Sequence, residues 1–377
     1  MVIAEKNNKE KLKASRDEIL EKIKRTGEKL VKEIEKGENP ALEIPVRGSR
    51  NVEFDEKNKK LVLGDKIAHR YLFNVGHAKK FMQTMLVASY VKKDLLENNL
   101  TATLRDLYYA KKRTIHGTKE ETIEEQKESD LAIVDFEVSL DTFREKLHLR
   151  AEPKGRIAGD MVVTDRVRDK VDSIDLSRMG SGGWAVPSIV EQIEFKDVGA
   201  EYVLVAEKNA LFDRLNEDEY WKKNKCMVMT TAGQAARGAR RFLQRLNEEL
   251  GLPVYILTDA DPYGWYIYST MKYGSMALAH ESDRLGCPNA HFIGMSISDI
   301  EHYDLRSVTI KAKDVDIKRA EEMKEYEWFK SKPWQTEINK FLEKKIKAEI
   351  QALSSKSLQY VSNTYLPEKI ANKDFLP

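Results

Sequence analysis

The chain has 377 residues, 41% of them hydrophobic, enough for two or three domains that each bury a core. Lys and Arg number 64 against 62 Asp and Glu, a formal net charge of +2, so any nucleic-acid surface must come from local clustering and not from a global excess. The two cysteines, Cys226 and Cys287, are too few for a disulfide framework and lack zinc-site spacing; with no signal-like start and no apolar run near the ~20 residues of a membrane span, a cytoplasmic protein without membrane contact is expected.

Residues 4–36 carry Leu12, Ile19, Ile23, Leu30 and Ile34 at helical spacing. That stripe docks either on the chain itself or on a partner. Gly37, Pro40, Pro45 and Gly48 then break helical structure, and NVEFDEKNKKLVLG alternates about a polar turn as a short β-hairpin does. Residues 1–69 are read as this extension. From Lys79, KKFMQTMLVASYVKKDLL has helical period, Asn98-Asn99 supplies a turn, and Thr101 or Thr103 can cap a second helix, TLRDLYYAKKR. LAIVDFEVSLDTFREKLHLR offers a third helix, and RAEPKGRIAGDMVVTD reads as two strands around a Pro-Lys-Gly turn, forming a wing. A winged-helix domain is expected over 70–160, and a linker over 161–199. Over 200–300, EYVLVAE, CMVMTT, PVYILTDADPYG and AHFIG alternate with helical segments, which predicts a parallel, helix-covered sheet. Residues 301–377 are polar, with helical spacing in KRAEEMKEYEWF and EINKFLEKKIKAEIQAL. The fold class is multidomain, α/β plus α+β.

Glu207 closes one predicted strand and Asp259 another, with Asp261 two residues on. Strand C-terminal ends are where open α/β sheets place their sites, and three converging carboxylates suit magnesium. Taken singly, Glu207 could cap a helix, and Asp259 and Asp261 could form a turn before Pro262 and Gly264. As a set, the glutamate and DADPYG resemble the Toprim domain, and the resemblance implies that Glu207, Asp259 and Asp261 hold Mg2+.

Tyr108 and Tyr109 follow Arg105 and precede Lys111, Lys112 and Arg113. A phenol with an ordinary pKa of about 10 is a poor nucleophile unless cations or a base assist, and these cations would also neutralise phosphate. The alternative is that both tyrosines pack on the core, and that Arg105 pairs with Asp106 at the surface. Ahead of the Toprim pattern, however, LRDLYY looks like the catalytic motif of the topoisomerase VI A subunits and of the related meiotic double-strand-break protein. NVEFDEKNKKLVLG and HAKKFMQTMLVASY are similar to the archaeal A subunits. The resemblance runs from about residue 45 to the end of the Toprim region. It implies a CAP-like winged helix whose Tyr109 is the nucleophile, because some relatives carry phenylalanine at the first position, and whose Arg105 lies near the scissile phosphate.

In QAARGARRFLQRL, Arg237, Arg240, Arg241 and Arg245 share one helical face; they track DNA phosphates or form a solvated face. Gly-x-x-x-x-Gly-Lys-Ser/Thr is absent. The resemblance implies that ATP binds a separate B subunit, in an A2B2 heterotetramer built on an A homodimer that acts on double-stranded DNA of the nucleoid. The expected function is the cleaving and rejoining subunit of an ATP-dependent type IIB DNA topoisomerase, an isomerase. The rival readings are a Toprim nuclease or primase-like enzyme, and a winged-helix regulator.

Overall fold

The computed structural model describes residues 2–167 and 170–377, with side chains from residue 14 onward except Val167. It divides into two compact units, Met1–Val52 with Leu63–Glu152, and Glu53–Val62 with Pro153–Pro377.

The first unit begins with one long helix, Val2–Glu35. Its apolar stripe is used within the unit: Ile19 and Ile23 join Val91, Leu95, Phe136 and Leu147 in one cluster, and Leu30 joins Leu42, Ile44 and Phe81 in another. Ile34 is exposed, and the side chain of Leu12 lies outside the described residues. Ala41–Pro45 pairs antiparallel with Ile67–Tyr71. Helix Val75–Tyr90, capped by Asn74, continues through a wider turn at Val91–Leu96. Asn99 then takes positive φ and turns the chain. Of the two candidate caps, Thr103 starts the next helix, Leu104–Lys111. A further helix, Gln126–Ser139, packs on both.

The expected wing does not form. Leu149–Arg150 pairs in parallel with Ala102–Thr103, whereas Arg156–Gly159 pairs antiparallel with Cys226–Thr230 in the second unit. The two strands flanking Pro153-Lys154-Gly155 thus belong to different sheets. Gly159 makes the second pairing possible: its φ is +147°, and a Cβ there would stand 2.6 Å from the Met227 sulfur. The segment read as a linker, 161–199, is also folded. Met161–Val167 lies between Lys170–Asp175 and Glu194–Val198 in a three-stranded antiparallel sheet.

In the second unit, one six-stranded sheet runs Trp184–Ala185, Arg156–Gly159, Cys226–Thr230, Tyr202–Ala206, Val254–Leu257, His291–Gly294. The last four strands are mutually parallel, and the first two are antiparallel additions. The sheet is therefore mixed and not purely parallel. Parallel strands covered by helices must be apolar on both faces, and Val203, Leu204, Val205, Met227, Val228 and Met229 are all fully buried. Helices Arg237–Leu250 and Pro262–Tyr273 add Phe242, Leu243, Trp265 and Tyr268 to the same core. The hairpin of Val52–Asp55 and Lys60–Leu63 forms as the alternation predicts. Its Phe54 packs on Tyr273 and Trp328 of the second unit.

The C-terminal pattern is interrupted where the sequence shows helical spacing. Helix Lys332–Lys344 stops because Lys345 takes a left-handed conformation. Ile346–Lys347 then pairs with Ile310–Lys311, and Ala348 bridges to Ala260. Residues 347–351 consequently run as a strap beside the sheet end that carries Asp259. No helix among the described residues is long and apolar enough to cross a membrane.

Candidate active site

The tyrosine pair sits on a helix of two turns whose start is fixed locally. Thr103 Oγ1 accepts from the Asp106 amide at 3.1 Å, and an Asp106 carboxylate oxygen accepts from the Thr103 amide at 2.8 Å, a reciprocal capping box. Asp106 is thereby engaged with Thr103, its hydrogen bonds holding it below the usual carboxylate range, and no Asp106–Arg105 pair forms among the described residues. Leu107 is the buried anchor of the helix. The Tyr108 hydroxyl donates to the Glu124 carbonyl at 3.0 Å, and the Lys112 ammonium donates to that hydroxyl at 3.1 Å.

Tyr109 is 61% exposed. Its ring lies 5.8 Å from the Arg105 guanidinium, and hydrogen bonding to Tyr109 raises Arg105 above its ordinary value. The neighbouring cations differ in availability. Lys111 pairs with Asp94 at 3.5 Å and lies over the Tyr90 ring. Lys112 is held by Glu121 at 3.0 Å as well as by Tyr108. Arg113 is exposed, and no ion pair of its guanidinium occurs among the described residues.

In the second unit, Glu207 follows Tyr202–Ala206 directly and Asp259 follows Val254–Leu257 by one residue. These strands are adjacent and in register, Ala206 opposite Leu257, so the fold itself brings the two carboxylates together. The Asp259 amide points at Glu207 Oε2 from 3.4 Å. Asp259 Oδ1 accepts from the Ile350 amide at 3.0 Å, and its Oδ2 meets the Lys208 ammonium at 2.7 Å. Asp261 caps helix Pro262–Tyr273, its Oδ1 accepting from the Gly264 amide at 2.8 Å, while Oδ2 lies 3.6 Å from Lys347. Glu207 caps nothing: the N-cap of the following helix is Lys208, without a side-chain cap bond.

Electrostatics records this convergence. Burial, then the negative charges of Asp259 and Asp261, pushes the Glu207 carboxyl up to about 7. Burial likewise raises Asp259 despite its lysine partner. Carboxylates crowded in this way are stabilised by a cation, and their hard oxygens match magnesium.

The strap supplies residues that the sequence pattern did not reveal. Lys208 also reaches Glu349 at 2.9 Å and Gln351 at 3.2 Å, and Lys347 is anchored by buried Asp316 at 3.0 Å. A basic residue directly after Glu207 was visible in the sequence; its partners on the strap, 141 and 143 residues away, were not.

The arginine face of helix Arg237–Leu250 does not form a free stripe. Arg237, 8% exposed, pairs with the buried Glu281 at 2.6 Å. Arg241 pairs with Glu191 at 3.1 Å, and Arg245 with Glu249; Arg240 is buried. Arg237 and Arg241, expected to track phosphates, are both engaged by carboxylates that come from elsewhere in the unit.

Known families divide the chain in the same way. Residues 79–149 match the family described as "Type IIB DNA topoisomerase", 152–199 match "All-beta domain in DNA topoisomerase VI alpha subunit", and 202–370 match the Toprim domain shared by the topoisomerase 6 A subunit and Spo11. The type 2 DNA topoisomerase 6 A subunit of Pyrococcus abyssi is 44% identical over 387 residues, covering all of both chains. Those of Hyperthermus butylicus and Saccharolobus shibatae are 48% and 47% identical, each over 92% of this chain and 93% of their own. The chain belongs to the family of type 2 DNA topoisomerase 6 A subunits. The Toprim match contains Glu207, Asp259, Asp261 and the whole strap, and the type IIB match contains Arg105 through Arg113. The all-β match coincides with the three strands found where a linker was expected.

Proposed function

We propose that Tyr109 is the nucleophile with which this chain, the DNA-cleaving subunit of a type IIB topoisomerase, breaks and rejoins the DNA backbone. The phenol oxygen forms a bond to phosphorus as the bond from phosphorus to the 3′ oxygen breaks. The phenol gives up its proton, and the departing 3′ oxygen gains one. The products are a 5′-phosphotyrosyl link and a 3′ hydroxyl, with no water consumed, so the reverse step reseals the strand.

The observation that carries this reading is the exposed Tyr109 beside Arg105 on a rigidly capped helix. Arg105 donates to the phosphate as charge grows on it. Arg113 supplies backbone contact, and Lys111 and Lys112 join it where DNA displaces their carboxylate partners. Tyr108 is a packing neighbour that locks the helix. Glu207, Asp259 and Asp261 would hold Mg2+, and the chemistry it would supply there is positive charge beside the phosphate. The domain carrying Tyr109 serves as a CAP-like DNA-binding domain that presents its helices to the duplex without a hairpin wing.

Two chains form a homodimer that cuts both strands, each tyrosine working with its partner's carboxylates. A B subunit supplies ATP binding and hydrolysis, giving an A2B2 enzyme that relaxes and decatenates nucleoid DNA inside the cell. The test is covalent trapping with a B subunit, magnesium, a nucleotide analogue and labelled supercoiled DNA. Protein-linked 5′ ends in wild type but not in Tyr109→Phe are expected. Equal linkage in Tyr109→Phe moves the nucleophile elsewhere, cleavage without linkage favours a nuclease, and no cleavage favours a regulator.

A further inference from the structure

We infer that Lys208 is a built-in competitor for the cation at the Toprim carboxylates, so that metal uptake is coupled to the arrival of a DNA phosphate. The inference rests on the reading that Glu207, Asp259 and Asp261 hold the cation. It follows from counting their oxygens. Asp259 Oδ1 accepts from the Ile350 amide, and Asp261 Oδ1 accepts from the Gly264 amide. The oxygens left for a cation are Asp259 Oδ2, Asp261 Oδ2 and Glu207 Oε1, with Glu207 Oε2 engaged only at 3.4 Å by the Asp259 amide. Asp259 Oδ2 already carries the Lys208 ammonium at 2.7 Å.

Lys208 is not a stray surface cation. An ammonium has three N–H donors, and here they meet three oxygens, those of Asp259 at 2.7 Å, Glu349 at 2.9 Å and Gln351 at 3.2 Å. A divalent cation and this ammonium cannot both sit closely on one carboxylate oxygen without strong repulsion. Lys347 stands differently, since it lies nearer to buried Asp316, at 3.0 Å, than to Asp261, at 3.6 Å. Glu349 is exposed, which leaves the lysine an outward route on its solvent side. A phosphate in the site offers the ammonium an anion in place of Asp259 and offers the cation a further oxygen. The two binding events then favour each other, and by linkage the coupling is reciprocal.

The experiment measures Mn2+ binding to the full chain by the paramagnetic resonance of free Mn2+, with and without a short DNA duplex. Lys208→Met is compared with wild type, with Glu207→Gln, and with Lys356→Met, which removes a charge paired to Asp304 outside the site. Lys208→Met is expected to bind Mn2+ about tenfold tighter without DNA, Lys356→Met to match wild type, and Glu207→Gln to lose the site. The duplex is expected to tighten binding severalfold in wild type and at least threefold less in Lys208→Met. Unchanged or weaker binding by Lys208→Met, or no tightening of wild type by DNA, overturns the inference and leaves the metal assignment standing. Undiminished binding by Glu207→Gln overturns both. Melting curves report folding, and Lys208→Gln replaces Lys208→Met if the latter is unfolded.

Discussion

Replacing Glu207 with Gln should stabilise the metal-free protein, and only at neutral to alkaline pH. Burial and the charges of Asp259 and Asp261 raise the Glu207 carboxyl from its ordinary 4.5 to about 7. Because the folded value lies above the unfolded one, protonated Glu207 favours folding below pH about 4.5, and that contribution is lost as pH rises through about 7. By pH 8 the ionised group disfavours the folded state by about 3 kcal/mol, at about 1.4 kcal/mol per pH unit between the two values. At pH 5 the same arithmetic leaves under about 1 kcal/mol. Calorimetric melting in chelator should therefore place Glu207→Gln roughly 6 °C above wild type at pH 8, with most of the gap closed at pH 5. Magnesium at about 1,000 times its Kd should reverse the order, since it adds about 4.1 kcal/mol to the form that binds it, more than the deficit at pH 8. A variant that melts with wild type at every pH in chelator would refute the crowding of charge on which this reasoning depends.

Tyr108→Phe is expected to keep covalent linkage to DNA while losing about 1 kcal/mol of stability, because its hydroxyl bonds Glu124 and Lys112; trapping and melting are measured together. Arg237→Ala should destabilise by about 1–3 kcal/mol, as buried Glu281 loses one guanidinium and keeps Arg284 at 2.7 Å, and should leave the salt dependence of DNA binding unchanged. Arg113→Ala should behave in the opposite way, with stability intact and the slope of log affinity against log salt reduced by about 1. Identical slopes in wild type and Arg113→Ala would remove Arg113 from the DNA surface.

Glu207 and Asp259 were legible because each ends an apolar run, and adjacency of parallel strands converts that sequence position into spatial proximity. The capped tyrosine helix was legible for a similar reason, since Thr103 and Asp106 act within one turn. Interactions that join distant segments were not. The spacing through Ile346 and Ile350 satisfies a helix, and nothing local announces that Lys345, a non-glycine residue, will adopt positive φ and release the strap. The arginines of helix Arg237–Leu250 have no acid among them until Glu248, yet Arg241 finds Glu191 and Arg237 finds Glu281 across the fold. Pro153-Lys154-Gly155 has the composition of a hairpin turn, but strand pairing was decided by Gly159 fitting against Met227. The antiparallel edge of the sheet escaped for the same reason: its strands precede the alternating region and reveal their partner only in three dimensions.

The tyrosine helix shows how exposure and precision are combined. A nucleophile that must meet a large, rigid duplex cannot lie in a closed pocket, and Tyr109 is accordingly exposed where Leu107 is buried and Tyr108 half-buried. A helix of two turns is marginal alone, so its aim has to come from its neighbours. Thr103 and Asp106 fix the first turn, Leu107 fills the core, and Tyr108 with Lys112 ties the last turn to Glu124. Every residue from 106 to 108 is thus committed to holding the backbone, which leaves Tyr109 exposed at its ring and fixed at its root. Arg105, one helical turn earlier, shares that root, so guanidinium and phenol move as one unit toward a phosphate. On this argument the spacing of Arg105 to Tyr109 matters as much as either residue, and a single residue inserted between them should abolish linkage while leaving DNA affinity largely intact.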